Sequence, residues 1–313
     1  MEPFTYRRAD HQPTAEPGRA LLAGGTDLLP SMKVGLVTPV EIVDLKHADL
    51  DDDVERTESG WRFGALATLA RLEDHAALRT AIPAIGDAAA SAATRQLRHR
   101  ATVAGNLLQR SRCGYHRSPD LTCWLGGGTT CFARDGLHEH HATVDTGLCI
   151  TPQPSDLASV LVALDATIEV RSGGGTTERP ITEHLAAPTS ERRSLHTLAA
   201  DEVITAVRVP HGDCPSVYMK AMDRAAWQFA LVGIAAALVD DGVRLVASGV
   251  AAVPWRLAAA EACLAGTGAG AMTDAQIAAA ADAAAEAMDP LPDNRYKVPL
   301  LRGLVTQALG QLR

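Results

Sequence analysis

Four cysteines fall within 37 residues of one another: Cys113, Cys123, Cys131 and Cys149, spaced C-x9-C-x7-C-x17-C. Thiolates are soft metal ligands. Four of them in a polar, glycine-rich stretch can hold one [4Fe–4S] cluster or one zinc ion. No C-x2-C pair occurs among them, so neither the common zinc knuckles nor the usual ferredoxin runs apply. The plain alternative is a set of unrelated buried cysteines, but those usually sit on apolar elements, and these do not. Cys214 beside a proline and Cys263 in an alanine-rich stretch are of that structural kind.

Two glycine-containing motifs come next. In Ala23-Gly24-Gly25-Thr26-Asp27-Leu28 (AGGTDL) a short apolar run stops at two glycines and a helix follows. Backbone N–H groups exposed there suit a phosphate or pyrophosphate, although the motif is neither GxGxxG nor a Walker A loop. A tight turn before a capped helix accounts for the same residues. Thr102-Val103-Ala104-Gly105-Asn106-Leu107 offers small residues and two polar side chains to a ligand, or a turn with Asn106 as its cap. Arg95, Arg98, Arg100, Arg110, Arg112 and Arg117 form either a solvated face or a wall for an anion or an acidic partner. His138, His140 and His141 read as a surface loop rather than a metal site.

The elements that must position these residues alternate between strands and helices. Pro39 to Leu45 and Trp61 to Ala65 read as strands, with a helix expected at Leu28 to Val34. Thr68 is the cap candidate for a following helix, and Pro83 to Ala93 is a small-residue helix. Thr102 to Leu108 reads as a turn, Asp156 to Leu164 as a helix and Thr167 to Arg171 as a strand. The stretch 109–149 has no clear period, and an irregular segment of that length is unusual unless it is functional. Glu202 to Pro210, Val217 to Met222 and Val243 to Val250 read as strands. Ala230 to Val239 is an apolar helix or a long strand, and the turn Asp240-Asp241-Gly242 follows it. Ala258 to Met288 is helical on both sides of Gly266 to Gly270, and Tyr296 to Leu312 is a last amphipathic helix. Three parts are expected: 1–54, 55–188 with the cysteine-rich loop 109–149, and 189–313, the main boundary lying near Pro188 to Ser194.

The chain has 313 residues, of which 47% are hydrophobic and 21% charged, an ordinary globular balance that excludes disorder as the main state. Its formal net charge of -8 argues against sequence-general nucleic-acid binding. Six cysteines are too few for a disulfide scaffold. No apolar run approaches the ~18 residues of a membrane span, and Met1 to Pro30 lacks the apolar core of a secretory signal. A cytoplasmic protein with reduced thiols is the expectation.

Taken in order, AGGTDL, TVAGNL and Pro154-Ser155-Asp156-Leu157 resemble the FAD-binding subunit of the xanthine dehydrogenase family of molybdenum hydroxylases. The resemblance runs on through Glu202-Val203-Ile204, Tyr218-Met219-Lys220, Asp223-Arg224 and Asn294-Arg295-Tyr296-Lys297, and so covers nearly the whole chain. It implies an α+β fold: a two-part FAD-binding region of the vanillyl-alcohol-oxidase type, then a C-terminal α+β domain like that of the CO-dehydrogenase flavoprotein. It implies that Ala23, Gly24, Gly25, Thr26, Asp27 and Leu28 hold the FAD pyrophosphate. Thr102, Gly105 and Asn106 would line the flavin and its ribityl chain. Asp156 would hydrogen-bond the cofactor, and Ile204 and Lys220 would lie close to the ring. Arg112-Cys113-x-Tyr115-x-Arg117 with the later cysteines is similar to a subgroup that includes the FAD subunit of bacterial aldehyde oxidoreductases. Its members carry an inserted loop whose four cysteines bind an extra [4Fe–4S] cluster. Here Trp124 to Thr130 departs from that subgroup's more basic, proline-containing pattern.

The function implied is electron transfer. A partner chain with a molybdenum cofactor would oxidise an aldehyde or N-heterocycle, a small [2Fe–2S] subunit would pass electrons on, and FAD here would deliver them to an external acceptor. Two other readings stand beside it: a free-standing FAD-dependent oxidase or dehydrogenase of small molecules, and a non-enzymatic module binding zinc and a nucleotide. No acid–base pair stands out near the motifs, which tells against the first of these.

Overall fold

The computed structural model describes residues 2–10, 16–239, 242–267 and 271–313. Asp240 and Asp241 of the expected turn, residues 268–270 of the expected glycine break, and Met1 and residues 11–15 lie outside them. Three sheets organise the chain. The first is parallel, in the order β1 (Thr5–Arg8), β3 (Glu41–Asp44), β2 (Arg19–Leu22). The helix Leu28–Lys33 packs beside it through Leu28 and Met32 against Ile42.

The second sheet is antiparallel and has five strands. Its order is β4 (Val54–Thr57), β5 (Gly60–Gly64), β8 (Val203–Val209), β6 (Thr167–Ser172), β7 (Gly175–Pro180). β8 lies in the middle, paired to β5 on one side and β6 on the other. In sheet terms the third unit therefore starts after Val209, beyond the polar stretch 188–194 where the composition changes. Trp61, Phe63, Ile168 and Val207 bury themselves against helices Leu69–Asp74, Pro83–Ser91 and Asp156–Ala163.

The third sheet runs β12 (Trp255–Arg256), β11 (Gly242–Ser248), β10 (Val232–Val239), β9 (Ser216–Ala221). Ala230 to Val239, open between helix and strand in the sequence, is strand β10 from Val232 onward. Its odd and even residues enter different cores. Ala235 and Ala237 face the helices of the second unit, while Ile234 and Ala236 face the terminal helices Asp274–Glu286 and Lys297–Leu312. A strand buried on both faces loses its alternation, and alanines let helices approach it from both sides. Among the described residues no helix is long and apolar enough to cross a membrane.

Helix starts follow capping chemistry. The hydroxyls of Thr68, Thr94, Thr102 and Ser155 each accept an N–H of the first turn behind them. This is why Thr102 to Leu108, expected as a turn, is the short helix Val103–Leu107: Thr102 Oγ1 takes the Gly105 N–H at 3.2 Å.

Candidate functional site

A cavity of about 580 Å³ lies between the first two units. Its lining includes the whole of Ala23–Leu28, together with Thr102, Gly105, His196 and Ile204. Nine of the twelve residues expected at a cofactor thus meet around one space, of a size usual for cofactor sites. Asn106, Asp156 and Lys220 do not line it. Asp156 and Lys220 pair with each other at 2.7 Å, and Tyr218 donates its hydroxyl to Asp156 at 2.7 Å. Asn106 Oδ1 accepts from Ser155 Oγ at 2.6 Å, which ties the helix Val103–Leu107 to the cap of Asp156–Ala163.

The two glycines have distinct local causes. A Cβ at Gly24 would lie 1.8 Å from the Arg100 carbonyl oxygen, and Gly25 has φ +77°. The chain therefore passes under the segment 100–101 and turns left-handed, which leaves the N–H groups of Gly24, Gly25, Thr26 and Asp27 without a hydrogen bond among the described residues. Charged side chains around the cavity already have partners. Arg19 pairs with Glu41, Asp27 with Arg110, and Glu202 with Arg179. Burial, reinforced by Arg110 and Arg192, pulls His196 down to about 4, so its ring is neutral near pH 7. An anionic ligand here meets backbone N–H groups rather than free cations.

The cysteines converge on a second and much smaller cavity, which Cys113, Cys123, Cys131 and Cys149 all line. Three of them occupy equivalent places. Cys113, Cys123 and Cys131 each stand directly before a helical turn: Gly114–Arg117, Trp124–Gly126 and Phe132–Asp135. N–H groups at the start of such turns are free to face a sulfur. Those of Tyr115 and His116 hydrogen-bond Cys113, those of Ala133 and Ile150 hydrogen-bond Cys131, and that of Thr151 hydrogen-bonds Cys149. A hydrogen bond from Cys149 pulls Cys131 down to about 5, and the same contact pushes Cys149 up. Burial pushes the Cys113 thiol up. Among the described residues no three His, Cys, Asp or Glu side chains are arranged to hold a metal ion directly, so the four-thiolate zinc site left open by the sequence is not formed.

Two features escaped the sequence. His141, expected on a surface loop, is buried with its Nε2 3.2 Å from Cys113 Sγ, and His116 Nδ1 lies 3.7 Å from Cys123 Sγ. His138 is buried too, accepting the Asp293 N–H at 3.2 Å, and only His140 of the three is exposed. The arginines also divide. Arg95 and Arg98 pair with Glu73 on the second unit, whereas Arg110, Arg112 and Arg117 gather on Asp27. The third unit holds the loop from behind. Fully buried Lys297 donates to the His141 and Gly249 carbonyls at 2.8 Å each, and Asn294 Nδ2 to Ala142 O at 3.0 Å.

Comparison with known proteins gives the family and the fold. The family model described as FAD binding domain in molybdopterin dehydrogenase matches residues 2–212. The aldehyde oxidoreductase FAD-binding subunit PaoB of Escherichia coli is 34% identical over 324 residues, covering 100% of this chain and 99% of that subunit. The nicotinate dehydrogenase FAD-subunit of Eubacterium barkeri is 25% identical, covering 71% of this chain and 62% of its own length. In fold, a chain of the carbon monoxide dehydrogenase of Hydrogenophaga pseudoflava matches with a TM-score of 0.75 at 22% identity, covering 99% of this chain and 97% of that one.

Proposed function

The chain belongs to the family of FAD-binding domains of molybdopterin dehydrogenases, and from that premise we propose how its cavity holds the cofactor and where electrons enter and leave. It is the flavoprotein component of a molybdenum-hydroxylase-type oxidoreductase. FAD, when bound, takes up and releases electrons, and the protein's part is to orient it and set its surroundings. One observation carries the placement: four N–H groups, at Gly24 to Asp27, unpartnered among the described residues, border a cavity whose charged lining side chains are engaged in ion pairs. These N–H groups receive the pyrophosphate. Thr102, Gly105 and Ile204 form the wall toward the flavin. Asn106, Asp156 and Lys220 serve from behind, because their polar atoms are engaged with Ser155 and with each other.

Electrons reach the FAD from a [2Fe–2S] subunit beside a molybdenum-cofactor subunit, and leave to an external acceptor. The resemblance to an aldehyde oxidoreductase subunit favours an aldehyde as the complex's substrate. A free-standing oxidase would need a base at the flavin. The candidates do not serve: Asp27 and Glu202 are tied to arginines, and burial, which pulls His196 down to about 4, makes its neutral ring a weak base near pH 7.

Cys113, Cys123, Cys131 and Cys149 are the proposed ligands of one [4Fe–4S] cluster, whose chemistry when bound is one-electron transfer. The donor set supports this: four thiols, apolar neighbours in Trp124 and Phe132, and N–H groups directed at the sulfurs, which favour thiolate charge. A cluster gives each cysteine its own iron, so the thiols need not converge on one point as around zinc. The cavity between them is about 10 Å³, about one water in size, so a cluster held by these four cysteines would require the turns that carry them to part. A reduced compartment, the cytoplasm, suits such a set. The test is a visible spectrum with flavin and iron analysis on anaerobically purified protein. One FAD and about four irons per chain are expected. Flavin without iron removes the cluster and leaves the flavoprotein, and absence of flavin overturns the placement of the cofactor.

A further inference from the structure

We propose that Asp27 is a positioning residue that staples the flavin cradle to the cysteine loop, so that the two sites are coupled through one carboxylate; the part concerning iron rests on the cluster assignment above. An aspartate at the N-cap of a helix ordinarily turns back to accept an N–H of the first turn. Asp27 holds that place before Leu28–Lys33 and makes no such bond. Its carboxylate reaches across 83 positions of sequence instead. Oδ2 accepts both the backbone N–H and Nη1 of Arg110 at 3.2 Å. Oδ1 faces Arg112 Nη2 at 2.9 Å and Arg117 Nη1 at 3.7 Å. The Asp27 side chain is 13% exposed, so this is a largely desolvated junction in which cations outnumber the anion.

Each end of the junction bears on a site. Asp27 lines the cavity proposed for the flavin. Arg112 and Arg117 flank Cys113 and the turn Gly114–Arg117, whose N–H groups face the Cys113 sulfur. The Arg112 guanidinium also lies 4.8 Å from the centre of the Phe229 ring, which brings in the segment just before β10. Without the carboxylate, three guanidinium groups confront one another with no anion between them, and the turn carrying Cys113 loses its anchor. The cradle, by contrast, keeps its N–H groups, because they belong to the backbone.

The test is Asp27→Asn, which keeps the shape and the capping capacity and deletes the charge. The full-length variant is compared with wild type for flavin per chain, iron per chain, cluster midpoint potential, and the rate of trypsin cleavage after Arg110, Arg112 and Arg117. Any loss of flavin is expected to be smaller than the loss of iron. Iron is expected to fall severalfold, cleavage to quicken severalfold, and the iron that remains to titrate at a more positive potential, since an anion has left its surroundings. Arg112→Gln, which removes one arm only, is expected to show the same pattern more weakly. Loss of flavin with iron and cleavage unchanged overturns the proposal and makes Asp27 a cofactor ligand. No change in any readout overturns it as well. If the wild-type protein carries no iron, the cluster assignment fails by itself, and the cleavage rates still decide on the staple.

Discussion

Lys220 Nζ lies 2.7 Å from Asp156 Oδ2, and the two side chains are 2% and 5% exposed. The ammonium also donates to the Ser91 carbonyl at 3.1 Å, and Tyr218 completes the carboxylate from its other oxygen. The pair joins β9 of the third unit to the N-terminal turn of Asp156–Ala163 in the second, and so fixes how the third unit sits against the flavin wall. Lys220→Met strands a buried carboxylate and is expected to cost about 3–5 kcal/mol, read by urea unfolding of the flavin-loaded protein. Lys220→Met with Asp156→Leu is expected to recover much of that, because no charge is left unpaired. A cost of the single change below ~1 kcal/mol, the range of exposed pairs, contradicts the burial described.

Cys113→Ser is expected to lose the iron signal and keep FAD, because a hydroxyl replaces a thiolate at one corner of the set. Cys263→Ser, at the C-cap of Ala258–Ala262 and not among the residues lining the cysteine cavity, is expected to keep both. Iron analysis beside flavin absorbance decides. A full iron complement in Cys113→Ser removes that residue from the ligands.

Gly24→Ala places a methyl group 1.8 Å from the Arg100 carbonyl oxygen, so one of the two segments must move. Overpacking of this kind costs about 1–3 kcal/mol, and here the moving part carries the N–H groups proposed for the pyrophosphate. FAD retention is expected to weaken about tenfold, which corresponds to about 1.4 kcal/mol, followed by flavin fluorescence on dilution. Unchanged retention places the pyrophosphate elsewhere.

His184 and His196 stack with ring centres 5.7 Å apart, and burial pulls each down to about 4. Among the described residues neither ring nitrogen of His184 has a hydrogen-bond partner. Between pH 6.5 and 4 the unfolded chain binds protons that the folded chain excludes. Stability therefore rises with pH through that window and is lost as pH falls toward 4, by about 1.4 kcal/mol per pH unit for each proton. Above pH 7 these rings contribute no slope. His184→Leu is expected to lower the slope by about one proton, measured as denaturation midpoints from pH 7 to 5. An unaltered slope shows that His184 titrates alike in both states.

Much of this was legible beforehand, for local reasons. Thr68 and Ser155 start helices because their hydroxyls reach N–H groups three residues on, a relation visible in sequence. The cysteines could be grouped by spacing and context. Their common placement before helical turns could not, since turns of three or four residues leave no periodic trace. AGGTDL could be singled out as a glycine turn, but its glycines are explained by Arg100 and by a positive φ, both tertiary facts. The pairing of Asp156 with Lys220, and that of Asp27 with Arg112, span too much chain for any pattern to reveal. β10 was ambiguous because burial on both faces erases the period that separates strand from helix.

The central place of β8 bears on how the protein is made. β5 leaves the ribosome some 140 residues before its neighbour β8, and β6 waits as well. Until Val209 has emerged, the nascent chain presents two open strand edges with no partner between them, the kind of surface that invites association with other chains. The cavity is equally incomplete, since Ile204 belongs to that same strand. Flavin capture thus belongs to a late stage of synthesis, and a message cut short before codon 203 yields a polypeptide prone to clump rather than a smaller flavoprotein.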